Sequence, residues 1–266
     1  MLKSAVKGIA GSLGYDVMRR NDGGGAALSR GIIARFSIHG EPVAFFVANE
    51  WDYIQKHHLQ GTFYETEELA LIGRHFTGGV FVDVGANVGN HSVYALKFLG
   101  AKRVVAFEPN PAAAELLAVN LALNGLAARV DHRLAGLSDR RSGARFVAPN
   151  HKDLGSTRLA AIDGIAMDAA GHTAASAQTC VVLTGDEALA GETAIAMIKI
   201  DTEAMEMAVL AGLESTLARF RPKLFVEVDD ANRDAFLSWA DNARYDVADT
   251  HRRYATNCNY LLTPRG

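Results

Sequence analysis

The chain has 266 residues, 49% of them hydrophobic and 21% charged, with a formal net charge of −3. That balance suits a globular protein built as one large domain, or as a domain with an extension, and it excludes binding to nucleic acid through bulk positive charge. Cys180 and Cys258 make neither a disulfide framework nor a CxxC metal cluster and fit a reducing cytoplasm, and no apolar run reaches the roughly 18–20 residues of a membrane span.

At the start, Leu2, Val6, Ile9 and Leu13 fall at helical spacing, with Lys3 and Lys7 off that face. This predicts a helix that packs on the domain or a partner, or that touches an anionic membrane surface through residues 1–20. Residues 21–30, NDGGGAALSR, read as a Gly-rich linker. GIIARFSIH and VAFFVAN, separated by Gly40-Glu41-Pro42, read as a hairpin, and His57-His58 as a solvated face. A helix over 63–76 follows, with Leu69, Ile72 and Phe76 at core spacing and Thr77-Gly78-Gly79 at its end. Residues 1–76 therefore form an extension before a main domain over 77–266.

From residue 80 the rhythm changes. VFVDV and RVVAFEP are continuous apolar runs of the kind found in strands buried on both faces. They alternate with a helix over about 90–99 and with PAAAELLAVNLALNG, which has Pro111 at its first position and Gly125 past its end. ARVDHRLAGLS reads as a third strand, 194–201 and 222–228 as two more, and 204–219 as the helix between them. This alternation predicts a doubly wound, mostly parallel α/β sheet with helices on both faces. Over 140–180 it breaks: ARFVAP and TCVVLT read as an antiparallel pair. LAAIDGIAMDAAGHTAASAQ between them reads as a surface loop, or as a lid.

In such a sheet, ligands bind at the carboxyl ends of the strands near the switch in strand order. The loop there is FVDVGANVGN, residues 81–90. It has no GxxxxGK[ST] run for a phosphate cradle. As a GxGxxG dinucleotide loop it lacks two of three glycines, because Asn87 and Asn90 stand in their places. Asp83, Gly85 and Gly89, with Asn87 in the middle slot, match the acid-x-G-x-G-x-G pattern of S-adenosylmethionine loops. A carboxylate at Asp83 would repel a pyrophosphate but tolerate a sulfonium and an ammonium; it can also simply cap loop amides. Gly85 lets the chain turn, and Gly89 lets backbone approach a ligand. Glu108, 23 residues after Gly85, can accept the ribose hydroxyls of either cofactor. Ser138 and Asp139 are placed to reach an adenine, or form a plain turn.

FVDVGANVGNHS, VVAFEPNP, the LSD turn, IKIDTEAMEMAVLAGL and the strand VEV come in an order that resembles the FkbM family of methyltransferases, over about residues 63–262. The resemblance implies a class I methyltransferase (Rossmann-like) fold, S-adenosylmethionine as donor with S-adenosylhomocysteine as product, and transfer of a methyl group to a hydroxyl of a sugar, glycan or natural product. Ala204 departs from the family, which usually has Gly after the acid.

Lys199, Asp201 and Glu203 alternate and point to one side if their strand persists to 203. Asp201 is the first candidate for a base or an orienter of the acceptor, with Glu203 second. A structural Lys199–Asp201 ion pair is the alternative. Glu227 and His91 are candidates to face the substrate, or to hold local structure. Asp229-Asp230 could join Asp201 on a divalent cation, but no required metal is expected. An NAD-dependent oxidoreductase and a cofactor-binding scaffold without turnover are the alternative functions.

Overall fold

In the computed structural model, the described residues are 15–17, 31–147, 158–162 and 179–266. The expected amphipathic helix over Leu2–Leu13, the linker over 21–30 and most of the expected lid lie outside them.

The chain opens with β1 (Tyr15–Val17), β2 (Ile32–Ile38) and β3 (Glu41–Val47), an antiparallel three-stranded sheet in the order β1-β2-β3. The hairpin turn is His39-Gly40, both left-handed (φ 51° and 83°), as tight hairpins require. Glu41 and Pro42 are therefore in the strand, where Pro42 faces Ser37. Helices α1 (Gln55–Leu59) and α2 (Thr66–His75) follow. His58 is not on a solvated face: it is fully buried, stacks on Phe45 at 3.7 Å between ring centroids and pairs with Asn90 Oδ1 at 3.0 Å.

The main domain then runs β4 (Gly79–Val84), α3 (Asn90–Phe98), β5 (Ala101–Phe107), α4 (Pro111–Leu123), β6 (Val130–Arg133), β7 (Gly136–Ser138), β8 (Ser142–Val147) and β9 (Arg158–Ile162). It continues through β10 (Thr179–Thr184), α5 (Gly185–Ala188), β11 (Met197–Ile200), α6 (Glu206–Ala211), α7 (Glu214–Phe220), β12 (Lys223–Asp229), α8 (Arg233–Asn242), β13 (Tyr245–His251) and β14 (Asn257–Pro264).

The main sheet has seven strands in the order β13-β14-β12-β11-β4-β5-β6. β12, β11, β4, β5 and β6 are parallel, and β14 and β13 close one edge as an antiparallel hairpin. Alternate residues of one strand serve opposite layers, as a two-sided sheet demands. Val82 and Val84 of β4 join a core with Val209, Leu210, Leu217 and Phe236 from α6, α7 and α8. Phe81 joins a second core with Val93, Leu117, Leu69 and Phe45. Residues from the hairpin and from α2 thus share a core with the parallel sheet. Asn120 fixes the joint: its Oδ1 accepts from Phe46 N at 2.7 Å and its Nδ2 donates to Val88 O at 2.8 Å.

Four sequence expectations are corrected. The run ARVDHRLAGLS is two strands: β6 belongs to the main sheet, and β7 pairs with β10 in a second sheet of order β7-β10-β8-β9. Within that sheet β8 and β10 are antiparallel, and Arg158–Ile162, expected as loop, is the strand that pairs with β8. β11 ends at Ile200, because Glu203 and Ala204 are left-handed (φ 49° and 70°) and turn the chain away. The helix expected over 204–219 is broken at Gly212, where a Cβ would lie 2.0 Å from Ser138 O; the break lets β7 pack closely there.

Candidate active site

The order of strands reverses between β4, which connects to β5 on one side, and β11 on the other. A cavity of about 370 Å³ opens at that switch, within the roughly 300–1,000 Å³ typical of small-molecule sites. Its floor is the loop after β4. Gly85 has φ 80°, and a Cβ there would lie 1.9 Å from Asp201 O, so only glycine lets the loop cross the end of β11. Asn87 is also left-handed (φ 49°). Gly89 acts differently from expectation: a Cβ would lie 2.6 Å from Leu117 Cδ1, so its bareness admits α4 and not a ligand.

Glu108, just past β5, holds the loop in shape. Its Oε2 accepts from Asn87 N at 2.7 Å and its Oε1 from Asn110 N at 2.8 Å. Burial pushes its pKa up to about 7, against the two backbone amides that lower it.

Beneath the loop lies a buried ionic lattice. Lys199 Nζ donates to Gly85 O at 3.0 Å and sits 3.4 Å from Asp83 Oδ1 and 3.2 Å from Asp201 Oδ2. Burial lowers the ammonium's pKa, but Asp201, Asp83 and Glu65 outweigh it and hold Lys199 above its ordinary value. Asp83 is fully buried, takes a 2.6 Å hydrogen bond from Ser92 Oγ and is not in the cavity wall.

The opposite wall is acidic and aromatic: Glu65, Asp201, Glu203, Glu227, Tyr64 and Tyr254. Glu227 is hydrogen-bonded to Asp201, and burial, then that neighbour, hold it well above the usual carboxylate range. Tyr64 and Tyr254 share a 2.6 Å hydrogen bond between hydroxyls. His91 is buried, and burial, then Lys199, push its pKa down to about 3, so the ring is neutral. Its Nε2, Asn87 Oδ1 and Thr202 Oγ1 are buried cavity-wall atoms without a hydrogen-bond partner among the described residues.

A family model, the methyltransferase FkbM domain, matches residues 83–262. The chain belongs to the FkbM methyltransferase family. Its main sheet is an open, mostly parallel Rossmann-like α/β sheet. Among solved structures, methyltransferase FkbM from Methylobacillus flagellatus KT is 16% identical with a TM-score of 0.45, covering 68% of this chain. The overlap is 42% of that protein, so this chain spans less than half its length. A ribosomal protein L11 methylase from Lactobacillus delbrueckii subsp. bulgaricus is 14% identical over 76% of this chain and 79% of the other, TM-score 0.44. TrmK from M. capricolum, in complex with S-adenosyl-homocysteine, is 9% identical over 75% and 68%, TM-score 0.46. No curated protein matches this chain.

In this member of the family, the residues singled out from the sequence fall into three groups. Gly85, Asn87, Asn90, His91, Glu108, Lys199, Asp201, Glu203 and Glu227 meet in the cavity wall. Within that group Asn90 is already committed: its Oδ1 accepts from Tyr64 N and its Nδ2 donates to Tyr64 O, both at 3.0 Å. Asp83 and Gly89 lie behind the wall. Ser138 and Asp139 are also outside it; their neighbours Ala135, Gly136 and Leu137 line it instead. Among the described residues no cluster of His, Cys, Asp and Glu is arranged to hold a metal, so Asp229, Asp230 and Asp201 do not converge on one.

Tyr53, Tyr64, Glu65 and Tyr254 line the cavity and were missed. Long-range packing puts them there. The one local signal is at Glu65, where a glutamate stands before a helix in the place that Ser, Thr, Asp or Asn usually takes.

Proposed function

We propose that the protein binds S-adenosylmethionine and transfers its methyl group to a hydroxyl of a sugar, glycan or natural product. The observation that carries the donor is the charge of the wall. Glu65, Glu108, Asp201, Glu203 and Glu227 line it, and among the described lining residues Lys199 is the one Lys or Arg, its ammonium already held by Asp83, Asp201 and Gly85 O. A pyrophosphate would meet no cation there, whereas a sulfonium and an ammonium meet carboxylates. That disfavours the nicotinamide dinucleotide.

The residues fit such a donor. Glu108 would take the ribose hydroxyls, the Gly85–Asn87 backbone and the unpartnered Asn87 Oδ1 would face the amino-acid end, and Gly136 and Leu137 would flank the adenine. When bound, the donor supplies an electrophilic methyl group on sulfur. Placing the acceptor oxygen in line with it is the main task of this chain's own groups. Asp201, anchored by Lys199, would orient the acceptor hydroxyl. Glu227, holding its proton, would keep Asp201 in place. Glu203 is a second orienter. Tyr64 and Tyr254 give an aromatic surface for the acceptor's apolar face. The uncharged donor set of a polyol suits a wall of acceptor oxygens.

No described helix is long and apolar enough to cross a membrane. Residues 1–20 would add contact with an anionic membrane surface or a partner, at the cytoplasmic face where surface polysaccharides are made.

The test is transfer of an isotopically labelled methyl group from S-adenosylmethionine to a glycan and polyol panel, with products read by mass spectrometry. The reading expects label on oxygen, and a loss of about a hundredfold or more in Asp201→Asn with donor binding intact. Label on nitrogen or carbon, or full activity in Asp201→Asn, would contradict it.

A further inference from the structure

Part of the cavity wall is built by residues ahead of the family domain. Tyr53, Tyr64 and Glu65 line it, and all precede residue 83, where the family match begins. Glu65 holds an unusual place. It is the N-cap of α2, but its backbone is left-handed, φ 58° and ψ 47°, and its side chain caps nothing. An N-cap residue ordinarily has extended backbone and an oxygen bonded to the first-turn amides. Left-handed backbone at a non-glycine residue costs on the order of 1–3 kcal/mol and gathers at functional sites. What that conformation achieves here is to turn the Glu65 carboxylate into the cavity.

The position is held firmly. Both backbone groups of Tyr64 are bonded to the Asn90 side chain at 3.0 Å, which ties Glu65 to the first turn of α3. Glu65 is 9% exposed, and its carboxylate makes no cap hydrogen bond to the first turn of α2. Its neighbour is His91, with Nε2 3.7 Å from Oε2, and that buried nitrogen lacks a hydrogen-bond partner among the described residues. Asp201 is differently placed. It is engaged by Lys199 on one side and by Glu227 on the other.

We propose that the segment ahead of the family domain completes the acceptor side of the site, and that Glu65 takes the proton of the acceptor hydroxyl. The inference rests on the methyl-donor reading above. The hydroxyl proton passes to a Glu65 carboxylate oxygen. The electron pair left on the acceptor oxygen becomes the new O–CH3 bond, and the pair of the broken S–CH3 bond stays on sulfur as a thioether. The acceptor class follows from the same wall: a hydroxyl compound without phosphate or carboxylate near the reacting oxygen, because the carboxylates of Glu65, Asp201 and Glu203 would repel either.

Burial raises the Glu65 pKa first, and Asp201 and Glu68 add to it, while Lys199 and Arg253 oppose. His91 beside it is neutral, and Glu227 and Tyr254 interact with it electrostatically from the same wall. A base of raised pKa is matched to chemistry near neutral pH.

The experiment uses full-length wild type, Glu65→Gln and Glu65→Gly; glycine adopts the left-handed backbone without strain, so the second variant guards the fold. Calorimetry with S-adenosylhomocysteine should give affinities within about threefold for all three, since Glu65 sits on the acceptor side. Carbon-13 carboxyl spectra of glutamate-labelled protein, with the Glu65 signal identified by its loss in Glu65→Gln, should show it titrating above pH 7. With a hydroxyl acceptor from the labelled-methyl panel, kcat of both variants should fall about a hundredfold or more, with KM for the donor unchanged. A Glu65 signal that titrates below pH 5, a tenfold loss of S-adenosylhomocysteine affinity, or an unchanged kcat overturns the proposal. Wild type that fails to bind S-adenosylhomocysteine overturns the donor reading itself, a result distinct from these.

Discussion

Glu108 Oε2 accepts a hydrogen bond from Asn87 N at 2.7 Å, across 21 residues of sequence. One carboxylate thus shapes the glycine loop from the end of the next strand, and the loop and the acid are a single device. Because Asn87 is left-handed, its amide points back to Glu108 and its unpartnered Oδ1 is left in the cavity wall.

Removing that acid should hurt binding and loosen the loop. Charge-assisted bonds of this kind contribute about 1.5–3 kcal/mol each, so Glu108→Ala should weaken S-adenosylhomocysteine by about tenfold or more in calorimetry. The pH dependence has a definite sign. Burial holds the folded-state pKa near about 7, above the ordinary 4.5. The folded state therefore binds the proton more tightly, and this group's contribution to stability falls as pH rises from 4.5 to 7. Ligand affinity should move the other way, rising through pH 7 as the carboxylate ionises. Glu108→Gln should abolish that rise.

Lys199→Met should destabilise the fold by about 3–5 kcal/mol in urea denaturation, because it leaves Asp83 buried beside no cation. Lys199 is then chiefly an organiser of the loop and of Asp201. A change below about 1 kcal/mol would show that the lattice does not need it.

Ala204→Gly should stabilise the protein by about 1 kcal/mol. Ala204 has φ 70°, where an L-residue with a Cβ pays roughly 1–2 kcal/mol, offset in part by glycine's larger unfolded-state entropy. This is the position where the sequence departs from its family, and the family's usual glycine is explained by the left-handed turn. A loss of stability in thermal denaturation would contradict the argument.

The parallel core was legible because strands buried on both faces read as unbroken apolar runs: VFVDV and RVVAF are β4 and β5 almost residue for residue. β13 was not legible. It is an edge strand, YDVADTH, mostly exposed and without an apolar face, and its partner β14 locates it. Glu108 was legible because strand end and spacing fix it locally. Glu65 was not, because its role depends on where Asn90 holds the neighbouring backbone, 26 residues away. Asp83 shows a subtler limit. Its place in the motif suggested a ligand contact, but at the buried end of its strand it accepts a hydrogen bond from Ser92, pairs with Lys199 and shapes the site from behind.

The central claim is that this cavity holds the methyl donor. Thermal denaturation with S-adenosylhomocysteine and, separately, with NADH tests it most directly. A ligand at a hundred times its Kd stabilises the folded state by about 2.7 kcal/mol, which amounts to several degrees for a domain of this size. The account predicts that rise with S-adenosylhomocysteine, its loss in Glu108→Ala, and no shift with NADH. A rise with NADH and none with S-adenosylhomocysteine would contradict it.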